Sequence, residues 1–284
     1  MSAMIDLHTH TTSSDGTDTP RELVNKAIVQ GLEVLGISDH DTTSGWQEAT
    51  ESLRGNLKLA LGAEISCLTD DGISVHMLGL LFDPLHQEMQ TVLEETRDGR
   101  LPRMRKMIQK MQAEGFDISI EDVEKAMPTG ATMGRPHLAD ALVNKKIVKS
   151  RDEAFTDLLH NESRFYVSHA APTPIEAVKL IRRAGGVAVI AHPMASHRGR
   201  VISSETFGSI INSGLDGIEV DHRDHTPDEK KELINLAKEF DLVMTGSSDY
   251  HGNGKLNMLG EYTTHPKQWE KLESKATIRR VVTA

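Results

Sequence analysis

The sequence predicts an α/β fold, a single barrel of βα units interrupted by a helical insertion, and three observations predict it. Short apolar runs alternate with amphipathic segments from Met4 to Leu80, the rhythm of strands and helices around a parallel sheet. Between Leu85 and about Arg164 that rhythm stops, and helical spacing continues with no convincing strand. After Thr173-Pro174 the alternation returns. A chain of 284 residues suits one barrel-sized domain carrying an insertion, and two unrelated domains would be a tight fit.

The first strand covers Met4 to Leu7 and runs directly into His8-Thr9-His10. A helix starts at Thr19-Pro20, where a capping hydroxyl precedes proline, and stops at Gly31, a favoured C-terminal cap. Strands follow near Val34 to Ile37, Lys58 to Ile65 and Ile73 to Leu80. Inside the insertion, Met104, Met107, Ile108 and Met111 recur at helical spacing, as do Leu138, Ala141 and Leu142; both stripes read as core packing. A helix over Ile175 to Arg183 and strands at Val187 to Ile190, Leu215 to Val220 and Leu242 to Gly246 complete the barrel. The division is therefore 1–84 and 165–284 for the barrel and 85–164 for the insertion, which is expected to cover the active site.

Composition excludes several classes of function. No apolar run is long enough to span a bilayer, so no membrane role is expected. The chain enters a strand almost at once without a charged leader, and the expected location is cytoplasmic. Net charge of −10 argues against extended binding along DNA, which needs a basic face, but leaves room for a local phosphate pocket. Cys67 is the only cysteine, which excludes an internal disulfide and reads as a buried core thiol.

Five apolar segments end in histidines or carboxylates: Asp6-Leu7-His8-Thr9-His10, Ser38-Asp39-His40-Asp41, Glu64, Ala191-His192-Pro193 and Ser248-Asp249-Tyr250-His251. Imidazoles and carboxylates gathered this way repel or demand desolvation unless cations neutralise them, so the pattern predicts a multi-metal hydrolase. In a barrel of this kind the C-terminal ends of the strands build the active site, and these clusters fall there. His8 and His10 stand two apart and can face one ion. Glu64 leaves an apolar strand where an unpaired carboxylate is costly, which suits a residue bridging two ions. Asp15 sits in a Ser-Ser-Asp-Gly loop, and His76 interrupts an apolar strand where a hydrogen-bonded core histidine reads equally well.

In these segments, together with Ser13-Ser14-Asp15-Gly16 and His76, the sequence resembles the polymerase and histidinol phosphatase (PHP) family, in order and over nearly the whole chain. The resemblance implies a distorted (β/α)7 barrel with two or three divalent ions. It implies His8, His10, Glu64 and Asp249 on the first ion, Asp15, His40 and His251 on the second, and Glu64, His76 and His192 on the third. Many relatives carry histidine where this chain has Asp15. Nitrogen and oxygen donors without thiolate fit Mn, Fe or Zn, with manganese the first choice.

The expected chemistry is attack on phosphorus by a hydroxide bridging the first two ions, with Asp41 and His197 as candidate proton donors to the leaving group. Asp41 could instead orient His40. Candidate phosphate-binding residues are Arg135 and His137 in Met133-Gly134-Arg135-Pro136-His137, with Arg198 and Arg200 in the loop after His192. The Gly-Arg-Pro-His segment and the helical insertion resemble a PHP subgroup of nucleotide phosphatases. That resemblance implies removal of the 3′-phosphate from nucleoside 3′,5′-bisphosphates and, in some members, trimming of short 5′-phosphorylated RNA. A small phosphorylated nucleotide, with short RNA as a further partner, is the expected substrate. The rival readings are a histidinol-phosphate phosphatase recognising an amine through Glu219, Asp221 or Asp224, a metal-dependent amidohydrolase, and a non-catalytic PHP binding module. Tyr250, Tyr166, Trp46 and His222 are candidates for contact with a base.

Overall fold

A computed structural model of the chain describes residues 3–168 and 170–284. β1 (Ile5–Asp6) leads to α1 (Pro20–Gln30), whose Thr19 hydroxyl and Glu22 carboxylate form a reciprocal capping box. Gly31 ends that helix at φ 80°, a left-handed conformation open to glycine without a side-chain penalty. β2 (Val34–Ile37), α2 (Trp46–Ser52) and β3 (Lys58–Leu68) continue the βα pattern. Gly36 is obligatory in β2, since a Cβ there would stand 2.1 Å from the Leu7 carbonyl oxygen.

β4 (Ser74–Leu80) departs from the expected parallel rhythm. It runs antiparallel to β3 and also to β5 (Val187–Ala191), whereas β1–β2–β3 are parallel. The link between β3 and β4 is only Thr69 to Ile73, closed by a Thr69 N–H bond to the Ile73 carbonyl (2.9 Å). A connection that short reverses the chain; a parallel crossover needs a dozen residues or more. β6 (Gly217–Asp221) and β7 (Val243–Gly246) then extend the sheet in parallel, giving the order β1-β2-β3-β4-β5-β6-β7. Just beyond the strand ends, a bridge between Thr9 and Tyr250 and the His10 N–H bond to the Tyr250 carbonyl (2.8 Å) draw the first and last strands together.

Alternation along the strands sorts the core. Ala60, Leu78, Leu80, Val187 and Val189 enter an inner cluster with Ile5, Leu7 and Val243, while Leu59, Leu61, Ile65, Met77 and Ile190 pack outward under helices. Glu64 shares the inward register of Ala60, and His76 that of Leu78 and Leu80. Because β4 is reversed, His76 lies near the start of its strand yet at the same end of the barrel as Glu64.

The helical stretch opens with α3 (Gln87–Asp98), whose Met89 and Leu93 join the barrel's own helix–sheet core. α4 (Arg100–Ala113), α5 (Ile120–Ala126), α6 (Arg135–Asn144) and α7 (Arg151–Ala154) form a separate core instead. That core contains Met104, Met107, Ile108 and Met111 together with Leu138, Ala141 and Leu142. α8 (Pro174–Arg183), α9 (Ser204–Asn212), α10 (Pro227–Glu239) and α11 (Pro266–Lys275) return to the barrel, with Trp269 and Leu272 of α11 packed into the inner cluster. No described helix is long and apolar enough to cross a membrane.

Candidate metal centre

Nine side chains from the barrel loops and strands converge: His8, His10, Asp15, His40, Glu64, His76, His192, Asp249 and His251. Glu64 divides them. Its Oε2 faces His8 Nε2 (3.3 Å), His10 Nε2 (3.2 Å) and His40 Nδ1 (3.1 Å), whereas Oε1 faces His76 Nδ1 (2.7 Å) and His192 Nε2 (3.2 Å). Asp249 Oδ1 approaches His8 (3.5 Å) and His10 (3.4 Å), and Asp15 approaches His251 Nε2 (3.3 Å) and His40 Nε2 (3.7 Å). The grouping differs in detail from the sets the resemblance implies: His10 joins Asp15, His40 and His251, and His192 joins His8 and Glu64.

The donor set fits divalent cations. His8 Nε2 and His10 Nε2 lie 3.0 Å apart and both point at carboxylate oxygens. His40 Nδ1 and His251 Nε2 are buried without a hydrogen-bond partner. Unpaired nitrogens facing buried carboxylates are what a cation between them would satisfy. Electrostatics mark the same need. Burial alone would lower His10, but Asp249 and Glu64 carry it up to about 9. Burial pushes His40 down to about 3 and His251, aided by His10, down to about 4. Asp249 resists its burial because Lys255, His251 and His8 hold its carboxyl well below the usual range. His192 and Asp249 also adopt positive φ, 31° and 53°, and such backbone strain concentrates at functional sites.

Supporting carboxylates fix the geometry. Glu219 accepts from His8 Nδ1 (3.2 Å) and from the His192 N–H (2.8 Å), and is therefore engaged rather than available to a substrate amine. Asp39 accepts from the Thr11 N–H, the Thr11 hydroxyl and the Ser14 hydroxyl, each at 2.7 Å, and so shapes the loop that presents Asp15. Asp221 is exposed beside Lys230, and Asp224 is paired with Arg198.

Asp41 corrects the sequence reading of a proton donor. Its oxygens accept from the Ser66 N–H (2.8 Å), the Ser66 hydroxyl (2.9 Å) and Arg100 of α4, and it makes no hydrogen bond to His40. Burial would raise its carboxyl, yet Arg100 holds it below the ordinary value. His197 is exposed, with Nε2 3.4 Å from Asp224 Oδ1.

The proposed phosphate ligands separate. Arg198 reaches the nine-residue cluster, binding Asp249 Oδ2 (2.9 Å) as well as Asp224, and Lys255 joins it at Asp249 Oδ2 (2.8 Å). Arg200 points away, its guanidinium on the Asp71 carbonyl (2.9 Å). His137 is buried, its Nδ1 accepting from the Gly134 N–H (3.0 Å). Arg135 bonds the Leu159 carbonyl and Asn161 Oδ1, both at 2.7 Å, and lies over the Tyr166 ring beside Arg103. Neither Arg103 nor Arg135 has a carboxylate partner among the described residues. Burial and the neighbouring Arg135 pull Arg103 down to about 9.

Two of the four proposed base-contacting residues are committed elsewhere, and a third is buried against the nine-residue cluster. Trp46 donates Nε1 to the Gly62 carbonyl (2.9 Å), and the Tyr250 hydroxyl donates to Asp18 (2.8 Å). His222 is fully buried, with Nε2 3.5 Å from Asp249 Oδ2. The sequence reading missed Arg103, Lys255 and the supporting roles of Glu219 and Asp39. Only Lys255 carried a signal, lying four residues beyond His251.

The PHP domain pattern matches residues 6–280 of this chain. The chain belongs to the PHP family. Relatives within it include a 5′-3′ exoribonuclease of Haemophilus influenzae, 34% identical over 253 residues that make up 88% of this chain and 91% of the relative. A 3′,5′-nucleoside bisphosphate phosphatase of Chromobacterium violaceum is 32% identical, with 89% of each chain covered. Among solved structures, a protein of Bifidobacterium adolescentis assigned as a metal-dependent phosphoesterase superposes with TM-score 0.90, at 39% identity and 96% coverage of each chain. A Chromobacterium violaceum structure named as an amidohydrolase, holding sulfate and no metal, superposes with TM-score 0.86 at 31% identity, covering 96% of this chain and 97% of that one.

Proposed function

We propose that this PHP protein is a metal-dependent phosphoesterase that removes the 3′-phosphate from nucleoside 3′,5′-bisphosphates and trims short 5′-phosphorylated RNA in the cytoplasm. It is a hydrolase acting on phosphoesters. One observation carries the choice of substrate: the nine-residue cluster lies at one place and Arg103 and Arg135, which have no carboxylate partner among the described residues, at another, which suits a molecule with two phosphates.

Two or three divalent ions, manganese first among them, would be held by the nine side chains and would supply an acidified water and charge neutralisation at the scissile phosphate. Glu64 offers one oxygen to each side of the cluster, and Glu219 holds His8 in a single orientation. Arg198 and Lys255 stand at the rim and bind nonbridging phosphate oxygens. His197 donates the proton to the leaving oxygen, since the other candidate, Asp41, is locked in its pair with Arg100. Arg135 and Arg103 take the second phosphate.

The names of the relatives favour phosphoesters, and the neighbour named as an amidohydrolase holds sulfate, a tetrahedral anion like phosphate. The engagement of Glu219 and Asp224 weakens the histidinol-phosphate reading. The test is phosphate release by manganese-loaded protein from adenosine 3′,5′-bisphosphate, 3′-AMP, 5′-AMP and histidinol phosphate. The bisphosphate is expected to win, and Arg135→Ala is expected to remove that advantage with little effect on 3′-AMP. Equal rates on bisphosphate and monophosphate in the wild-type protein would overturn the reading.

A further inference from the structure

Among the described residues, six of the seven strands hold or lead into a member of the nine-residue cluster, and β6 alone does not. The end of β6 nevertheless reaches toward that cluster. Glu219 accepts from His8 Nδ1 (3.2 Å), and Asp224 pairs with Arg198, which in turn binds Asp249. His222 lies between them in the chain, fully buried, with its ring centroid 5.3 Å from that of His192.

The backbone of Asp224 decides where the His222 ring carries its hydrogen. The Asp224 N–H donates to Nδ1 (3.0 Å), so Nδ1 presents a lone pair and the ring hydrogen stands on Nε2. Nε2 faces Asp249 Oδ2 at 3.5 Å and has no closer partner among the described residues. His8 is arranged the opposite way: its Nδ1 donates to Glu219, which leaves the Nε2 lone pair for an ion. A ring held as His222 is cannot ligate through Nε2 without breaking its bond to the Asp224 N–H. It is a buried donor beside a buried carboxylate. The surrounding loop is itself fixed, since His225 Nδ1 donates to the Val220 carbonyl (2.9 Å) and its Nε2 accepts from the Met194 N–H (3.3 Å). The Asp221 carbonyl accepts from the Ser247 N–H (3.0 Å), two residues before Asp249.

We propose that His222 is a positioning residue for Asp249: its Nε2–H holds Oδ2 and so keeps Oδ1 turned toward His8 and His10, which it faces at 3.5 and 3.4 Å. The proposal rests on the nine-residue cluster binding ions and not on the choice of substrate. Asp249 sits at φ 53°, a conformation that a residue other than glycine keeps only when its surroundings hold it. Arg198 (2.9 Å) and Lys255 (2.8 Å) meet the same oxygen, but their side chains are 30% and 32% exposed and approach on long stems, so they supply charge more than direction. The His222 ring is planar, fully buried and fixed at Nδ1, and it stays with Asp249 when those cations turn to a phosphate.

Two amides separate the roles of the two ring nitrogens. In His222→Asn the side-chain carbonyl replaces Nδ1 as acceptor for the Asp224 N–H, but nothing donates from the Nε2 position; in His222→Gln the amide nitrogen reaches the Nε2 position and the Nδ1 acceptor is lost. Manganese affinity of the full chain is measured by competition with a chelator, without substrate. His222→Asn is expected to bind manganese about tenfold or more weakly, and His222→Gln to stay within about threefold of wild type. The reverse order overturns the proposal, because the ring would then serve the loop through Asp224. Equal losses in both variants overturn it too, leaving a ring that only fills space beside His192, and so do two unchanged affinities. A second reading uses the wild-type chain and is immune to any folding defect in the variants: nitrogen-15 correlation spectra of histidine-labelled, zinc-loaded protein are expected to show His222 with its hydrogen on Nε2. A hydrogen on Nδ1 overturns the proposal whatever the variants do. Wild-type protein that binds neither metal overturns the metal centre itself, whereas each of the other adverse results leaves the metal centre and the phosphoesterase reading standing.

Discussion

Replacing Arg100 with methionine tests how the insertion is fastened to the barrel. Arg100 is 7% exposed and its guanidinium pairs with Asp41, which is fully buried, while also donating to the Ser66 hydroxyl (2.8 Å) and the Met133 carbonyl (3.1 Å). Arg100→Met leaves a buried carboxylate with only the Ser66 hydroxyl and N–H, and a broken buried pair of this kind costs about 3–5 kcal/mol. Asp41→Leu/Arg100→Met removes both charges and should recover most of that loss, so the two changes together fall well short of additive. Urea unfolding of the manganese-loaded proteins reads the difference as a shift in midpoint at constant slope. In the wild type, the depressed Asp41 carboxyl contributes stability above the ordinary value of about 3.9, and that contribution is lost as pH falls through its lower folded value. In Arg100→Met burial is opposed only by His40 and the Ser66 hydrogen bonds, so the carboxyl rises and the deficit against wild type is full at neutral pH and shrinks as Asp41 takes up a proton. A single-variant cost under about 1 kcal/mol, the range of an exposed ion pair, or a deficit independent of pH would refute the reasoning.

Three further outcomes follow from the same geometry. Glu219→Gln should weaken metal binding by about 10–100-fold in competition with a chelator, because His8 loses the carboxylate that fixes its ring. Gly36→Ala should yield little folded protein by circular dichroism, since the added carbon would overlap the Leu7 carbonyl and β1 cannot retreat without disturbing His8. Metal affinity should rise with pH between 7 and 9, by up to about tenfold per unit, as His10 at about 9 must surrender a proton; calorimetry in buffers of different ionisation enthalpy should detect that proton.

The sequence made legible what is local. A run of apolar residues ending in His8 and His10, or in Asp249 and His251, states both a strand and what the strand presents, because both lie within a few residues of one another. The helix limits at Thr19 and Gly31 were readable for the same reason. The direction of β4 was also written locally, in Thr69-Asp70-Asp71-Gly72, a turn between two apolar runs, but the βα rhythm on either side masked it. Other features were unreadable because their partners are distant. Glu219 read as a candidate for binding a substrate amine until the fold set it beside His8, 211 residues away. Arg103 sits among basic residues on a methionine-striped helix and reads as a solvated charge; only the folding of α4 against Tyr166 brings it to Arg135.

The insertion's anchors bear on how the two halves of the site work together. Arg97 donates to the Asp41 carbonyl (2.6 Å) and Arg100 to its carboxylate, immediately after His40. The Thr132 N–H bonds the Ser13 carbonyl (3.0 Å), two residues before Asp15. Arg151 reaches the Gly254 carbonyl (3.3 Å), three residues after His251, and a Cβ on Gly254 would stand 2.3 Å from that guanidinium. The three anchors thus grip the loops of Asp15, His40 and His251, which form one candidate ion-binding set with His10. Glu64 and His76 stand on strands, and among the described hydrogen bonds the insertion touches β3 only through Arg100 at Ser66, two residues beyond Glu64. An insertion displaced from the barrel would therefore disturb the Asp15 set at all three loops, and the Glu64–His76 side only through His40 and Ser66. Arg103 and Arg135 ride on that same insertion, so if a phosphate binds there as proposed, any coupling it has to an ion at the Asp15 set must be equal in both directions.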